Sequence, residues 1–377
     1  MKKINTQTLR YYAPVAAALI IIVILLLVPT GFENKLIYRE TERVAARVIS
    51  TDDSMIIDTG LVRSGEQSCE VEFLSGTFKG QTFTAVNMLS GSLEIDKVFA
   101  EGDVAYARIS HRNGEILSVS LTDHYRLPWE LLLVGIFVAA LILFAGQTGV
   151  RAVLSFILTI LMIWKIVVPL YLNGVSPIFS GIAITALLSI MIVSLVYGFD
   201  RRAAASSLGI IIGLSFTAAL GAVFTRAMNI HGAVMTGSES LLYCGFEHLN
   251  LTEIFMAAIF IGSSGAMMDL AVDITSAVDE VIRKKPEITP WEAVKSGITV
   301  GRAAMGTITT TLLAYSGSCI AQLMVFMAQG TPLDCILNYK YIAAELIHTV
   351  AGSFGIVAVA PVTALASGLL LARHEER

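Results

Sequence analysis

A chain of 377 residues that is 55% hydrophobic and only 15% charged, with a mean hydropathy of +0.72 and a net charge of -4, departs from soluble composition, where about a quarter of residues are charged. That excludes the two or three soluble domains suggested by length alone. With no basic stripe interleaved with aromatics it also argues against nucleic-acid binding, and four cysteines without a CxxC spacing argue against zinc and redox motifs.

The N-terminus, Met1 to Arg10, is basic and polar, and Ala13–Val28 is continuously apolar. No small-x-small cleavage site precedes Pro29, so the segment is expected to remain as a first membrane span rather than a signal peptide. Residues 31–127 then change character and hold half of the acidic residues of the chain. Val44–Ser50, Cys69–Leu74, Thr82–Val86, Val104–Ser110 and Ile116–Leu121 are short runs rich in β-branched residues, punctuated by Gly76, Gly80, Gly91 and Gly102. Asn113-Gly114 is a two-residue hairpin signal. These features predict a β domain of five or so strands, a small barrel or sandwich.

From Trp129 the chain is apolar almost throughout. Spans are predicted at 129–145, 152–171, 177–197, 203–225, 252–272, 303–327 and 340–371, each near the length that crosses a hydrocarbon core. With the first segment they make about eight. The expected organisation is residues 1–30 as N-terminus and first span, 31–127 as the β domain, and 128–377 as a seven-span bundle. With the N-terminus inside, thirteen lysines and arginines fall in cytoplasmic segments, while the outer loops between spans hold only Arg226 and Lys340. The bias places both termini in the cytoplasm and the β domain outside it. The fold class is therefore a polytopic α-helical protein of the cell membrane with a small extracytoplasmic β domain between its first two spans. Cys69, Cys244 and Cys335 then face the oxidising side; a Cys244–Cys335 bridge and separate thiols both fit the spacing.

Polar groups inside a bilayer are costly and mark function by default. Gly262-Ser-Ser-Gly265, Ser316-Gly317-Ser318 and Gly352-Ser-Phe-Gly355, with Pro361 beyond, fall at similar depth in the last three spans. Close helix packing explains such clusters; so do discontinuous helices around a midplane site. Asp269 and Asp273 share one helical face at the cytoplasmic end of the sixth span, and like charges so placed call for a cation, a proton or a basic group between them. Arg302 is the expected counter-charge, either as a structural ion pair or as part of a solute path. Thr307, Thr311, Ser318 and Gln322 form a polar stripe along the seventh span, and Gly306 lies within it. Glu345 and His348 sit three apart in the first turns of the eighth span, a spacing that fits a proton relay or a headgroup-level pair. Asp279, Glu280, Arg283, Lys284 and Lys285 read as a solvated or lipid-facing surface. No GxSxG, HExxH or phosphate-binding glycine loop is present, so the chain is not expected to be an enzyme and no metal or cofactor is expected.

Gly265-Ala-Met-Met-Asp-Leu-Ala-Val-Asp-Ile274, Ser296-Gly-Ile-Thr-Val-Gly-Arg302 and Met305-Gly-Thr307, with the threonine-rich run to Tyr315, resemble the YibE/F-like membrane proteins of bacteria. So do Pro169-Leu-Tyr-Leu-Asn-Gly-Val-Ser-Pro177, Glu345, Gly352-Ser-Phe-Gly355 and Pro361-Val-Thr363. The likeness covers residues 35–371. It departs at Ala303, where the family pattern has an aspartate, and at Thr310, where it has an asparagine. The resemblance implies a multi-pass, permease-like protein of undefined substrate, without catalytic residues to carry over. The reading that follows is a secondary transporter of a small solute or ion. The alternative is a non-transporting assembly or sensor protein whose β domain binds a partner. A lipid-directed intramembrane enzyme ranks last. The lipid bilayer, a solute or ion, and a second copy or another membrane subunit are the expected partners.

Overall fold

The computed structural model describes residues 6–32, 41–313 and 319–372. It divides into two compact units, Glu33–Leu143 on one side and Met1–Phe32 with Phe144–Arg377 on the other.

The first unit is a closed five-stranded barrel followed by apolar helix. Its strands are β1 (Thr41–Asp58), β2 (Arg63–Phe73), β3 (Thr82–Ser90), β4 (Val104–Arg112) and β5 (Glu115–His124), in the order β1-β2-β3-β5-β4. The long β1 pairs with β4 through its first half and with β2 through its second, and β3 runs parallel to β5. This is the Greek-key arrangement of an OB-type barrel, so of the two expected architectures the barrel is the one found. Alternate residues point inward. Val44, Ala46, Val48, Cys69, Val71, Phe73, Ala85, Ala105, Ala107, Ile109, Val119 and Leu121 fill the interior. The hairpin forms at Asn113-Gly114, both with positive φ, and pairs Arg112 with Glu115. Gly65 (φ 112°) lies opposite a register shift in β1, where an added Cβ would strike the Met55 carbonyl oxygen. Two buried amides fasten the loop after β3. Gln67 Nε2 donates to the Phe99 carbonyl (2.9 Å), Gln67 Oε1 accepts from the Phe99 amide (2.9 Å), and Asn87 Nδ2 donates to Gln67 Oε1 (3.0 Å).

Two residues after β5, helix α2 (Leu127–Met162) begins. Gly146, with φ 55°, breaks its helical geometry close to the boundary between the units. Beyond the kink the helix continues through a π-helical turn (Ile163–Val167) into α3 (Val168–Leu172).

The second unit is helical. It holds α1 (Thr6–Leu27), the part of α2 beyond the kink, α3, α4 (Pro177–Tyr197), α5 (Arg201–Ala227), α6 (Ser238–Tyr243), α7 (Leu251–Lys284), α8 (Pro290–Leu313), α9 (Ile320–Ala328), α10 (Leu333–Asn338) and α11 (Lys340–Ala372). Among the described residues, five helical stretches are long and apolar enough to cross a membrane: Leu127–Leu172, α4, α5, α7 and α11. Helices α5, α7 and α11 form the centre, with α8 against α7 and α11. Small residues allow the approach, as in membrane bundles generally. Gly209 faces Thr363, Gly213 faces Val359, and Gly355 lies against Thr217 and Met267. Ser206 on α5 donates to Thr275 on α7 (2.8 Å), which is bonded in turn to Ser367 on α11 (3.0 Å). At the edge, α1 is fixed near both ends. The Arg151 guanidinium stacks 3.8 Å over Tyr11, and Lys165 Nζ donates to the Val28 carbonyl (3.0 Å).

Helix α8 starts thirteen residues before the predicted span at 303. Thr289-Pro-Trp-Glu292 is a capping box: Glu292 accepts from the Thr289 amide (3.0 Å), and Thr289 Oγ1 accepts from the Glu292 amide (3.3 Å). These bonds hold the Glu292 carboxyl below its ordinary range. Cys69, Cys244 and Cys335 are free thiols; Cys69 is buried and its thiol is pushed up to about 11 by desolvation.

Candidate functional site

The candidate site is a stripe along α7. Ala258, Gly262, Gly265, Asp269, Asp273 and Ser276 succeed one another at three- and four-residue steps, so they share one face of the helix. All six are exposed, whereas Ile259, Phe260, Met267, Leu270, Ala271, Ile274 and Thr275 on the opposite side are fully buried. The exposed faces of the other long helices carry large apolar residues: Leu131 on α2, Phe179 and Leu187 on α4, Phe216 and Val223 on α5, Phe354 and Val357 on α11. Helix α7 exposes no large apolar side chain. A face that meets lipid alone has no use for two carboxylates and two glycines, because apolar residues there cost nothing and carboxylates cost several kcal/mol, about 2.5–3.5 each near the bilayer centre.

Arg302 is exposed on α8 together with Gly306 and Thr307. Asp273 stands eleven residues before the end of α7 and Arg302 twelve after the start of α8. At a rise of 1.5 Å per residue both lie roughly 17 Å from the connecting loop. Depth therefore matches, yet among the described residues no ion pair joins Arg302 to either aspartate. The ion pairs at the base of α7 are others. Asp279 takes Arg202 (3.2 Å) and Arg283 (2.8 Å), and Arg202 also binds Asp200 (2.8 Å), the N-cap of α5. The charged run after residue 278 thus includes a half-buried network as well as a solvated surface. Tyr197 supports the stripe from α4, its hydroxyl donating to the Val272 carbonyl (2.7 Å) and lying 2.7 Å from Ser276 Oγ.

At the other end, His348 on α11 places Nε2 3.3 Å from the Ala258 carbonyl, and a Cβ at Gly262 would stand 3.1 Å from that nitrogen. Gly262 is what lets the imidazole reach the α7 backbone. Glu345 is half-buried one turn away. Gly265 and Gly306 have open space in the direction of a side chain, and Gly355 has none. Gly352 is buried in the same packed seam. Helices α7 and α11 run unbroken through Gly262–Gly265 and through Gly352, Gly355 and Pro361, so neither is a discontinuous helix at these positions. Thr307 Oγ1 donates to the Ala304 carbonyl (3.1 Å). The Thr311 side chain, Gly317 and Ser318 lie outside the described residues. Among the described residues no cluster of three His, Cys, Asp or Glu side chains could hold a metal ion.

Sequence reasoning missed Tyr197, Arg202 and Glu253. Glu253 accepts from Ser176 (2.9 Å) and so ties the start of α7 to the start of α4. Only the N-cap pattern at Asn250 and Glu253 was visible in the chain itself.

Long apolar helices packed through small residues, with a small β-barrel unit beside them in sequence, define a polytopic α-helical membrane protein. The YibE/F-like protein family matches residues 133–373, and the chain belongs to that family. The match begins inside α2 and runs past the end of α11; it leaves outside the barrel, which the resemblance was expected to cover from residue 35. Among curated proteins and among solved structures nothing matches the chain.

Proposed function

We propose that the protein is a permease-like membrane protein that carries a small solute or ion, with the α7 stripe as part of the path. The observation that carries this reading is the uncovered face of α7, where Gly262, Gly265, Asp269 and Asp273 replace the apolar residues that lipid would favour. Two carboxylates one turn apart, without a basic partner among the described residues, suit a cation or an exchanging proton. His348 at the outer end of the stripe and Arg302 at the depth of the aspartates bracket the route.

In this reading the chain crosses the cell membrane eight times, with both termini in the cytoplasm and the barrel outside. The eight spans comprise α1, the two limbs of α2 on either side of Gly146, α4, α5, α7, the region of α8 and α9, and α11. The protein performs no covalent chemistry and needs no resident cofactor. A second copy or another membrane subunit would cover the α7 stripe from outside.

The experiment is flux in proteoliposomes. Candidate cations and small solutes are screened with the wild-type protein, and Asp269→Asn and Arg302→Gln are then compared. Both variants should insert normally and lose flux to the level of empty vesicles. Wild-type flux in both would remove these residues from the path. The second reading, a non-transporting assembly or sensor protein, draws on the close packing around Gly355, Thr217 and Met267. Deleting residues 40–122 would abolish its function, whereas a transporter would retain modified flux.

A further inference from the structure

The strand ends place the loop between β1 and β2, the loop after β3 and the exit from β5 at one end of the barrel. The end of β1 pairs with the start of β2 (Asp58 with Arg63), the start of β2 with the end of β3 (Ser64 with Ser90), and the start of β4 with the end of β5 (Ala105 with His124). The chain leaves that end through Tyr125 and Arg126 and enters the apolar α2 at once. This same end carries Leu61 (86% exposed), Leu93 (81%) and Ile95 (70%), with Met55, Ile57 and Met88 exposed on the strands behind them. The opposite end, with the β2–β3 loop, presents Lys79.

We infer that this end of the barrel is a membrane-docking tip, with Leu61, Leu93 and Ile95 inserted into the interfacial region of the same bilayer that α2 enters. The inference rests on the reading that α2 spans. Three observations commit the surface to lipid. A two-residue connection holds the tip close to wherever α2 meets the bilayer, since so short a link reaches only about 7 Å. Leu61 and Leu93 stand on loops at the rim of an open cavity of about 320 Å³, yet both remain more than four-fifths exposed, which suits insertion of their tips by a few ångströms. Two of the acids at the tip are already satisfied within the protein. Asp96 accepts from the amides of Ser90, Gly91 and Ser92 (2.7–2.9 Å) and from Ser90 Oγ. Asp58 accepts from the Gly60 amide (2.8 Å) and from Arg63 (2.9 Å). An acid so engaged loses less on leaving bulk water than a free one. Glu94, between Leu93 and Ile95, stays at the level of the headgroups.

The test uses the full chain with Cys244, Cys319 and Cys335 changed to Ser, and single cysteines introduced as Leu61→Cys, Leu93→Cys, Lys79→Cys and Phe137→Cys. Each carries an environment-sensitive fluorophore, in vesicles of phosphatidylethanolamine and phosphatidylglycerol containing nitroxide-labelled lipid. Labels at 61 and 93 should shift to the blue and be quenched about twofold by a nitroxide high on the acyl chain, the depth that interfacial anchors reach. The label at 79 should behave as in water, and the label at 137 should respond to a deep nitroxide. Quenching at 137 with none at 61 and 93 overturns the docking tip alone. No quenching at 137 overturns the spanning reading and the tip with it. Shielding of 61 from aqueous iodide without lipid quenching would place protein there instead and also overturn it.

Discussion

Asp269 and Asp273 occupy successive turns of one helix face with no basic partner among the described residues, and this decides how substitutions should act. Neutralising one of them removes a repulsion, so Asp269→Asn should leave thermal stability in detergent unchanged or raised while abolishing flux. A loss of both together would mean a structural role. Gly265 makes the complementary case. Open space lies where its side chain would stand, so Gly265→Ala should fold normally and affect flux alone. At the barrel tip, Asp96 is held below its ordinary carboxyl range first by the Ser90 amide and then by further bonds from Ser90, Ser92 and Gly91. A depressed value in the folded state means that the stability is present above the unfolded carboxyl range and lost as pH falls through the folded value. The loop at 91–96 should therefore loosen on acidification into that low range. Asp96→Asn should loosen it at neutral pH, read as faster amide exchange at Gly91 and Ser92.

Among the elements, the packed seam of α5, α7 and α11 is where structure tolerates least. A Cβ on Gly355 would overlap Thr217 Oγ1 and the Met267 methyl. Gly355→Ala is expected to cost about 1–3 kcal/mol by overpacking, in contrast to Gly265→Ala on the open face. The Ser206–Thr275–Ser367 bridge joins the same three helices where no water can replace it. Thr275→Val should lower stability by about 1 kcal/mol, the scale of interhelical hydrogen bonds in membranes, measured by thermal unfolding in a fixed detergent. Helix α8 shows how an element can be underestimated from hydropathy. Its first turns are amphipathic, with Ala293 and Val294 buried beside exposed Trp291 and Lys295. An apolar-window reading starts it near 303, whereas its capping box at Thr289 sets the true start.

For the whole molecule, the family match and the division into units describe different things. The family covers residues 133–373, while the compact barrel unit runs to Leu143 and takes the first limb of α2 with it. If the proposed function resides in the residues that the family match covers, the barrel modulates it without being essential. If so, excising residues 40–122 and rejoining α1 to α2 should leave a bundle that inserts and binds what the intact protein binds. Flux should change by less than in Asp269→Asn, measured in the same proteoliposomes. Complete loss would instead support the assembly or sensor reading.

The sequence by itself determined what rests on period and composition. Apolar runs of bilayer length announced the long helices, short β-branched-rich runs punctuated by glycines announced the strands, and Asn113-Gly114 announced its hairpin, because each signal is local in the chain. It also showed that Asp269 and Asp273 share a face. Only the tertiary structure decided which face that is. Gly262 and Gly265 are spaced like Gly352 and Gly355 and look alike in the chain, yet the first pair lies on an open surface and the second in a packed seam. Likewise Arg302 was the expected counter-charge because it enters the next span from the same side as the aspartates, but among the described residues it is Arg202 that reaches α7 from another helix, at Asp279. Contacts of this kind join residues some seventy to a hundred positions apart. They depend on how helices turn about their axes when packed, and local patterning carries no record of that rotation.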